Sequence, residues 1–208
     1  IRKETFLGEP WKIVDCGNVD VLHTEQTRSF QNCEAAIRKI LSKKAIPFVI
    51  GGDHAITTPI LRAFDCFDNL CVIHFDAHLD FSKNPYGIAE GPGSPMRRAS
   101  EMAHISKIVQ IGIRGIGSSQ LSDFQDAEAY GNTIITSRQV RQKGVEWVAS
   151  CIPQAEHYYI SFDIDGLDPS IAIGTGSPVP FGLLYEEASD IIEAVANKGS
   201  IVGMDMVE

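Results

Sequence analysis

The sequence predicts an α/β fold, a three-layer α/β/α sandwich around a mostly parallel sheet. Two observations predict it. Short β-branched or apolar runs alternate with longer helix-compatible stretches along the whole chain, and several of the short runs are apolar on both faces, as strands buried inside a parallel sheet are. Neither a repeat nor a low-complexity linker interrupts the alternation.

In chain order, the strand expectations are Trp11–Cys16, Pro47–Ile50, Leu70–Phe75, Ile108–Ile113, Thr133–Thr136, Tyr158–Phe162 and Ser200–Val207. Each is a short β-branched, aromatic or aliphatic run. The intervening stretches Glu25–Lys44, Thr57–Phe67, Met96–Met102, Ser119–Tyr130, Ser137–Ile152 and Tyr185–Asn197 are expected to be helices. Parallel strands joined by helices place ligands beyond the carboxyl ends of the strands, so polar residues just after a strand are the ones to inspect.

The chain has 208 residues, 44% of them hydrophobic, which is enough for a substantial core in one domain over residues 1–208. It opens on Ile1 rather than Met and stops at Glu208 inside an apolar run, so that domain is expected to be incomplete at both ends. Eighteen basic against twenty-seven acidic residues give a formal charge of -9, which repels phosphate backbones and suits a cationic substrate better than nucleic acid. Cys16, Cys33, Cys66, Cys71 and Cys151 are odd in number and lack paired ligand spacing, against a disulfide framework or a zinc-thiolate site. No apolar run reaches membrane-spanning length and no signal-peptide pattern is present, so cytoplasmic residence is the expectation.

Three strand ends carry polar clusters: Gly51-Gly52-Asp53-His54, Asp76-Ala77-His78-Leu79-Asp80 and Asp163-Ile164-Asp165. All three fall on one rim of the predicted sheet. In extended backbone, residues two apart point to the same side, which would gather Asp76, His78 and Asp80, and likewise Asp163 with Asp165. Four carboxylates converging in a poorly solvated place cannot all stay ionised unaided. Two divalent cations would balance them, with His54 and His78 completing the shells without adding charge. Oxygen-rich ligation with imidazole and no thiolate favours manganese or a related ion. Such a pair activates water for hydrolysis.

Blander readings apply to other residues. A Gly-rich strand-to-helix turn is usually structural on its own, and Asp163-Ile164-Asp165 is similarly ordinary taken singly. Asp168, before Pro169, reads as a turn starter outside the ligand set. His74 points the same way as Asp76 and is expected to be a satisfied buried histidine, with a role as partner to a ligand as the alternative. His23, His104 and His157 read as structural. Gly174-Thr175-Gly176 lacks the lysine of a phosphate loop and is expected to shape the mouth of the site, and Arg97-Arg98 is too short for a polyanion.

The three clusters, extended through Ser161-Phe162-Asp163-Ile164-Asp165-Gly166-Leu167-Asp168-Pro169, Gly174-Thr175-Gly176-Ser177-Pro178 and Gly203-Met204-Asp205-Met206-Val207-Glu208, resemble the signatures of the ureohydrolases, the arginase and agmatinase family. The resemblance spans most of the chain. It implies an arginase-like fold and two Mn(2+) per subunit: His54 on one ion and His78 on the other, Asp76 and Asp163 bridging, Asp80 on the first and Asp165 on the second. It further implies that a bridging hydroxide attacks a guanidinium carbon, with Asp80 orienting the hydroxide and relaying its proton, to release urea and an amine. By the same resemblance Glu208 holds the substrate guanidinium, whereas its residue-level reading is a solvated acid at a strand end. Resembling proteins form trimers or hexamers, so a homo-oligomer is expected.

Two departures refine these expectations. Where arginases place an aspartate for the amino-acid end of arginine, this chain has Arg114-Gly115-Ile116-Gly117, and the resemblance leans to agmatinase and a small cationic guanidino substrate. Where many members have a proton-shuttling histidine, this chain has Pro92. A guanidinobutyrate or formiminoglutamate type of hydrolase, or a metal-binding relative with little or no turnover, stands as the alternative. A binuclear phosphohydrolase is disfavoured because no basic cluster is available to hold phosphate.

Overall fold

Every predicted strand but the first forms. The structure is a computed structural model that describes residues 11–117 and 119–208, so residues 1–10 of the predicted domain lie outside it. The strands are β1 (Phe48–Ile50), β2 (Leu70–Phe75), β3 (Ile105–Ile113), β4 (Thr133–Thr136), β5 (His157–Asp163) and β6 (Ser200–Val207). They make one sheet in the order β1-β6-β5-β2-β3-β4, with every pairing parallel. β2 lies at its centre and all six of its residues are buried, which is why it reads as an unbroken apolar run.

Trp11–Cys16 is a correction: it forms no strand, and its residues are exposed. β-branched composition favours a strand only where a sheet edge offers pairing and a surface to cover, and no strand pairs with this segment among the described residues.

The helices are α1 (Gln26–Leu41), α2 (Thr57–Arg62), α3 (Pro95–Ser100), α4 (Leu121–Tyr130), α5 (Ser137–Cys151) and α6 (Tyr185–Ala196). α2 is shorter than expected, its chain continuing through turns that bury Phe64. α5 is broken at Gly144, whose φ of 80° is not helical. One apolar core, with Ile37, Ile60, Leu61, Phe64 and Tyr159, joins α1 to α4 to one face of the sheet. A second, with Ile73, Phe75, Val148, Phe162 and Ile191, joins α5 and α6 to the other. The expected three-layer sandwich follows, and no helix among the described residues is long and apolar enough to cross a membrane.

The strand order also places the site. After β2 the chain steps outward through β3 and β4, then returns on the opposite side of β2 for β5 and β6. Connections diverge at β2 and β5, which opens a crevice at their carboxyl ends.

Candidate metal centre

The crevice receives the predicted clusters. His54 opens a single 3₁₀ turn, His54–Ile56, just after β1; Asp76, His78 and Asp80 follow β2; Asp163 ends β5, and Asp165 lies in the next 3₁₀ turn, Ile164–Gly166. His54, Asp76, Asp80, Asp163 and Asp165 are buried, and His78 is partly so.

The residues meet as two groups that share Asp76. His54 Nδ1 lies 3.1 Å from Asp76 Oδ2, 3.1 Å from Asp80 Oδ2 and 3.2 Å from Asp163 Oδ2. His78 Nδ1 lies 2.9 Å from Asp165 Oδ2 and 3.4 Å from Asp76 Oδ1. One Asp76 oxygen therefore faces each imidazole.

The extended geometry expected for Asp76 to Asp80 is not what gathers them. β2 stops at Phe75, and Asp80 adopts a left-handed φ of 49°. The spacing of two instead reflects an aspartate accepting the amide two residues on: Asp76 Oδ1 takes His78 N–H at 2.6 Å, and Asp163 Oδ1 takes Asp165 N–H at 2.9 Å. Each such turn bends the chain over the strand end while its other carboxylate oxygen faces the crevice. Ala77 N–H donates to Asp165 Oδ1 at 3.0 Å and ties the two turns together.

The electrostatics match a cation site. Burial opposes a charge on His54, yet Asp163, Asp76 and Asp80 hold its imidazole well above the ordinary range. Asp165 and Asp76 push His78 up to about 10. Burial lifts the Asp165 carboxyl to about 6, with His78 opposing and Asp76 and Asp163 adding to the rise. Burial, then the charge of Asp76, raises Asp80, whereas Asp76, despite its burial, is held well below its ordinary range by the surrounding histidines. One carboxylate stays ionised and two of its neighbours resist ionisation, the pattern of negative charge in excess of what the fold alone balances.

A cation fits the donor set on one particular atom. Ser161 Oγ donates to Asp205 Oδ1 at 3.0 Å, so at its 2.9 Å contact with His54 Nε2 the hydroxyl accepts and the ring donates. That leaves His54 Nδ1 fully buried, without an aligned hydrogen bond and facing three carboxylates, where it either keeps a proton, as in the metal-free protein, or gives a lone pair to a cation. Lone pairs facing one another at that range need a cation or a proton between them. His54, His74, Asp76 and Asp80 form one group spaced to hold a metal ion, and Asp76, His78 and Asp165 form another.

Against a model of the arginase family the chain matches over residues 2–208. It belongs to the arginase family. It is 37% identical to the agmatinase of Neisseria meningitidis serogroup C over 205 residues, covering 96% of this chain and 63% of that protein. To the guanidinopropionase of Pseudomonas aeruginosa it is 34% identical, covering 95% of this chain and 63% of the relative. Among solved structures, proclavaminate amidino hydrolase from Streptomyces clavuligerus superposes with a TM-score of 0.84 at 32% identity, covering 94% of this chain and 66% of that one. The chain thus spans roughly two thirds of the length of these arginase-family relatives.

The remaining expected residues sort themselves within this arginase-family frame. Asp168 is a turn staple: its carboxylate accepts from Ser170 N–H and Oγ–H and from Gly182 N–H, and these bonds, the Ser170 hydroxyl first, draw it down to about 2. Glu208 is exposed just past β6, its N–H bonded to Gly52 O at 3.2 Å. Its carboxylate lies beside Gly176, where an added Cβ would sit 2.9 Å from Oε1, a contact the exposed side chain relieves by turning. Pro92 is exposed in the turn before α3. His104 Nε2 meets Leu61 O at 2.9 Å, a structural contact as expected.

Gly115 and Gly117 turn out to act on His78. A Cβ on Gly115 would lie 2.8 Å from His78 Cδ2 and Nε2, and one on Gly117 2.7 Å from Cδ2. These glycines let the chain after β3 close over the ring edge opposite Nδ1, and so aim Nδ1 at the carboxylates.

His74 joins the alternatives left open by the sequence, being fully buried, satisfied, and bonded through Nε2 to Asp76 Oδ2 at 2.8 Å. Three residues escaped the sequence reading as parts of the site: Gln110, Ser161 and Asp205. With His74 they form one register row across four strands, Gln110 opposite His74, His74 opposite Ser161 and Ser161 opposite Asp205. All four are fully buried. The available signal was a polar residue inside a run otherwise apolar, two positions before an aspartate, as in His74-Phe75-Asp76 and Ser161-Phe162-Asp163.

Proposed function

We propose that this chain carries the metal centre of a hydrolase that cleaves a carbon–nitrogen bond of a guanidino compound, agmatine first among candidates, giving urea and an amine. One observation carries the reading: the unpartnered, buried His54 Nδ1 facing Asp76, Asp80 and Asp163. In the proposed arrangement His54 and Asp80 would hold one Mn(2+), His78 and Asp165 would hold the other, and Asp76 and Asp163 would serve both. Asp76 supports the bridging role with one oxygen toward each imidazole. When bound, such a pair lowers the pKa of water and so supplies a nucleophile near neutral pH.

The chain's own groups account for the rest. Asp80, whose carboxyl is raised by burial and by Asp76, is suited to accept and return a proton at Oδ2. Glu208 offers an exposed carboxylate to a guanidinium beside the narrow Gly176 stretch. Ile116, exposed between the two glycines over His78, offers apolar surface to an alkyl chain, and no carboxylate at Gly115 or Gly117 is present to recognise an α-amino group. Similarity to a guanidinopropionase at 34% identity supports a guanidino acid as the second reading of the substrate.

The test is urea and ammonia release from a panel of agmatine, arginine, guanidinobutyrate, guanidinopropionate and formiminoglutamate, run on manganese-loaded protein with measured metal content. Urea from agmatine above all is the expected result. Full metal loading with no product from any compound would overturn the enzymatic reading.

A further inference from the structure

Beneath the metal-facing residues lies the buried polar row, and its β2–β3 half has no role in the reading above. Gln110 Nε2 donates to His74 Nδ1 at 3.1 Å and to Leu79 O, while its Oε1 accepts from Asn132 Nδ2 at 2.8 Å. The direction of these bonds is determined. Leu79 O can only accept, so the Gln110 amide must turn its nitrogen to that carbonyl, and the same nitrogen faces His74. His74 Nδ1 is then an acceptor, and the ring proton resides on Nε2, which donates to Asp76 Oδ2.

The consequence reaches the metal centre through one carboxylate. Asp76 Oδ2 also faces His54 Nδ1, and the His54 and His74 rings lie with centroids 5.0 Å apart. His74 is close enough to count among the possible ligands of that group. Both of its nitrogens, however, are committed, one as acceptor and one as donor.

We propose that Gln110 is a positioning residue that, by holding His74 as an Nε2–H donor, keeps this third histidine out of the ligand set and fixes the Asp76 carboxylate between the two metal sites. The inference rests on the metal reading given above. A buried imidazole free to turn would offer a lone pair toward the carboxylates and compete with Asp76 for a cation. Held by Gln110, it orients a ligand without becoming one. Such supporting bonds are worth about 10–100-fold in metal affinity.

The test separates donor position from packing. Glutamine can place an amide N–H near the position of His74 Nε2, and asparagine can place one only near Nδ1. Mn(2+) affinity measured by calorimetry on His74→Gln should stay within about threefold of the parent, whereas His74→Asn and Gln110→Leu should each lose about 10–100-fold. Combining His74→Asn with Gln110→Leu should lose little more than either alone, because both break one chain of bonds. Equal affinities for His74→Gln and His74→Asn would overturn the proposal while leaving the metal reading intact. A parent protein that binds no divalent cation would overturn the metal reading instead. Should a variant fail to fold, nitrogen-15 spectra of the metal-free parent still decide: neutral His74 protonated on Nε2 supports the proposal, and protonation on Nδ1 refutes it.

Discussion

Replacing Arg114 by methionine should destabilise the fold by about 3 kcal/mol and loosen the candidate metal centre with it. The guanidinium, part-buried behind the crevice, donates to the carbonyls of Gly112, Asp165, Gly166, Leu167, Val179 and Pro180 at 2.6 to 3.2 Å. No carboxylate bonds to it among these contacts. It works as a clamp that ties the end of β3 to the turn carrying Asp165 and to the mouth loop at 179–180. A bond from a charged donor contributes about 1.5–3 kcal/mol, but water reaches part of the site and takes over several carbonyls, so a loss equivalent to about two bonds is expected. Lysine keeps the charge but not the planar fork, and should recover about half. Equilibrium unfolding in urea provides the measurement: with a slope of about 2–3 kcal/mol/M, the methionine variant's midpoint should fall by about 1 M. If the methionine and lysine variants both unfolded within about 0.5 kcal/mol of the parent, the clamp would have no energetic content and the reasoning would fail.

Four further outcomes are expected. Metal uptake should release protons, because His54 and His78 hold them at neutral pH and must surrender them to bind a cation; calorimetry at pH 7 in buffers of different ionisation heat counts them, and uptake without release would contradict the site. For the metal-free protein the sign is opposite: the His78 contribution to stability is complete below about pH 6.5 and lost as pH rises through about 10, so melting curves with and without Mn(2+) should diverge over that window. Gly115→Ala, which drives a Cβ into the His78 ring, should weaken Mn(2+) binding at least about tenfold, whereas Gly174→Ala, with nothing within 4 Å of the added carbon, should leave it unchanged. Asp205→Asn should cost about 2–3 kcal/mol in thermal unfolding, since its amide nitrogen replaces one accepting oxygen and faces either the Ser161 hydroxyl or those of Thr57 and Tyr159, and Tyr159→Phe, which removes one of those donors, should cost about 1 kcal/mol.

The candidate ligands gather for a different reason than their spacing suggests. Spacing of two suggested extended backbone through Asp76, His78 and Asp80, but the chain leaves β2 at Phe75 and turns on Asp76's own carboxylate. The i, i+2 rule does hold one step earlier, inside the strands, where His74 and Ser161 lie beneath Asp76 and Asp163. Trp11–Cys16 shows the complementary failure: composition alone proposed a strand, and pairing declined it.

By itself the sequence determined the alternation of strands and helices, the burial of β2, and the strand ends at which acids and imidazoles collect. Those features are local, set by side-chain periodicity and by turns spanning two or three residues. Only the tertiary structure decided that β2 and β5 are neighbours, that Asp76 lies between two imidazoles, and that Gln110, His74, Ser161 and Asp205 form one polar row beneath them. The physical reason is that strand order and register arise from long-range pairing, in which residues dozens of positions apart share a layer that no local pattern records.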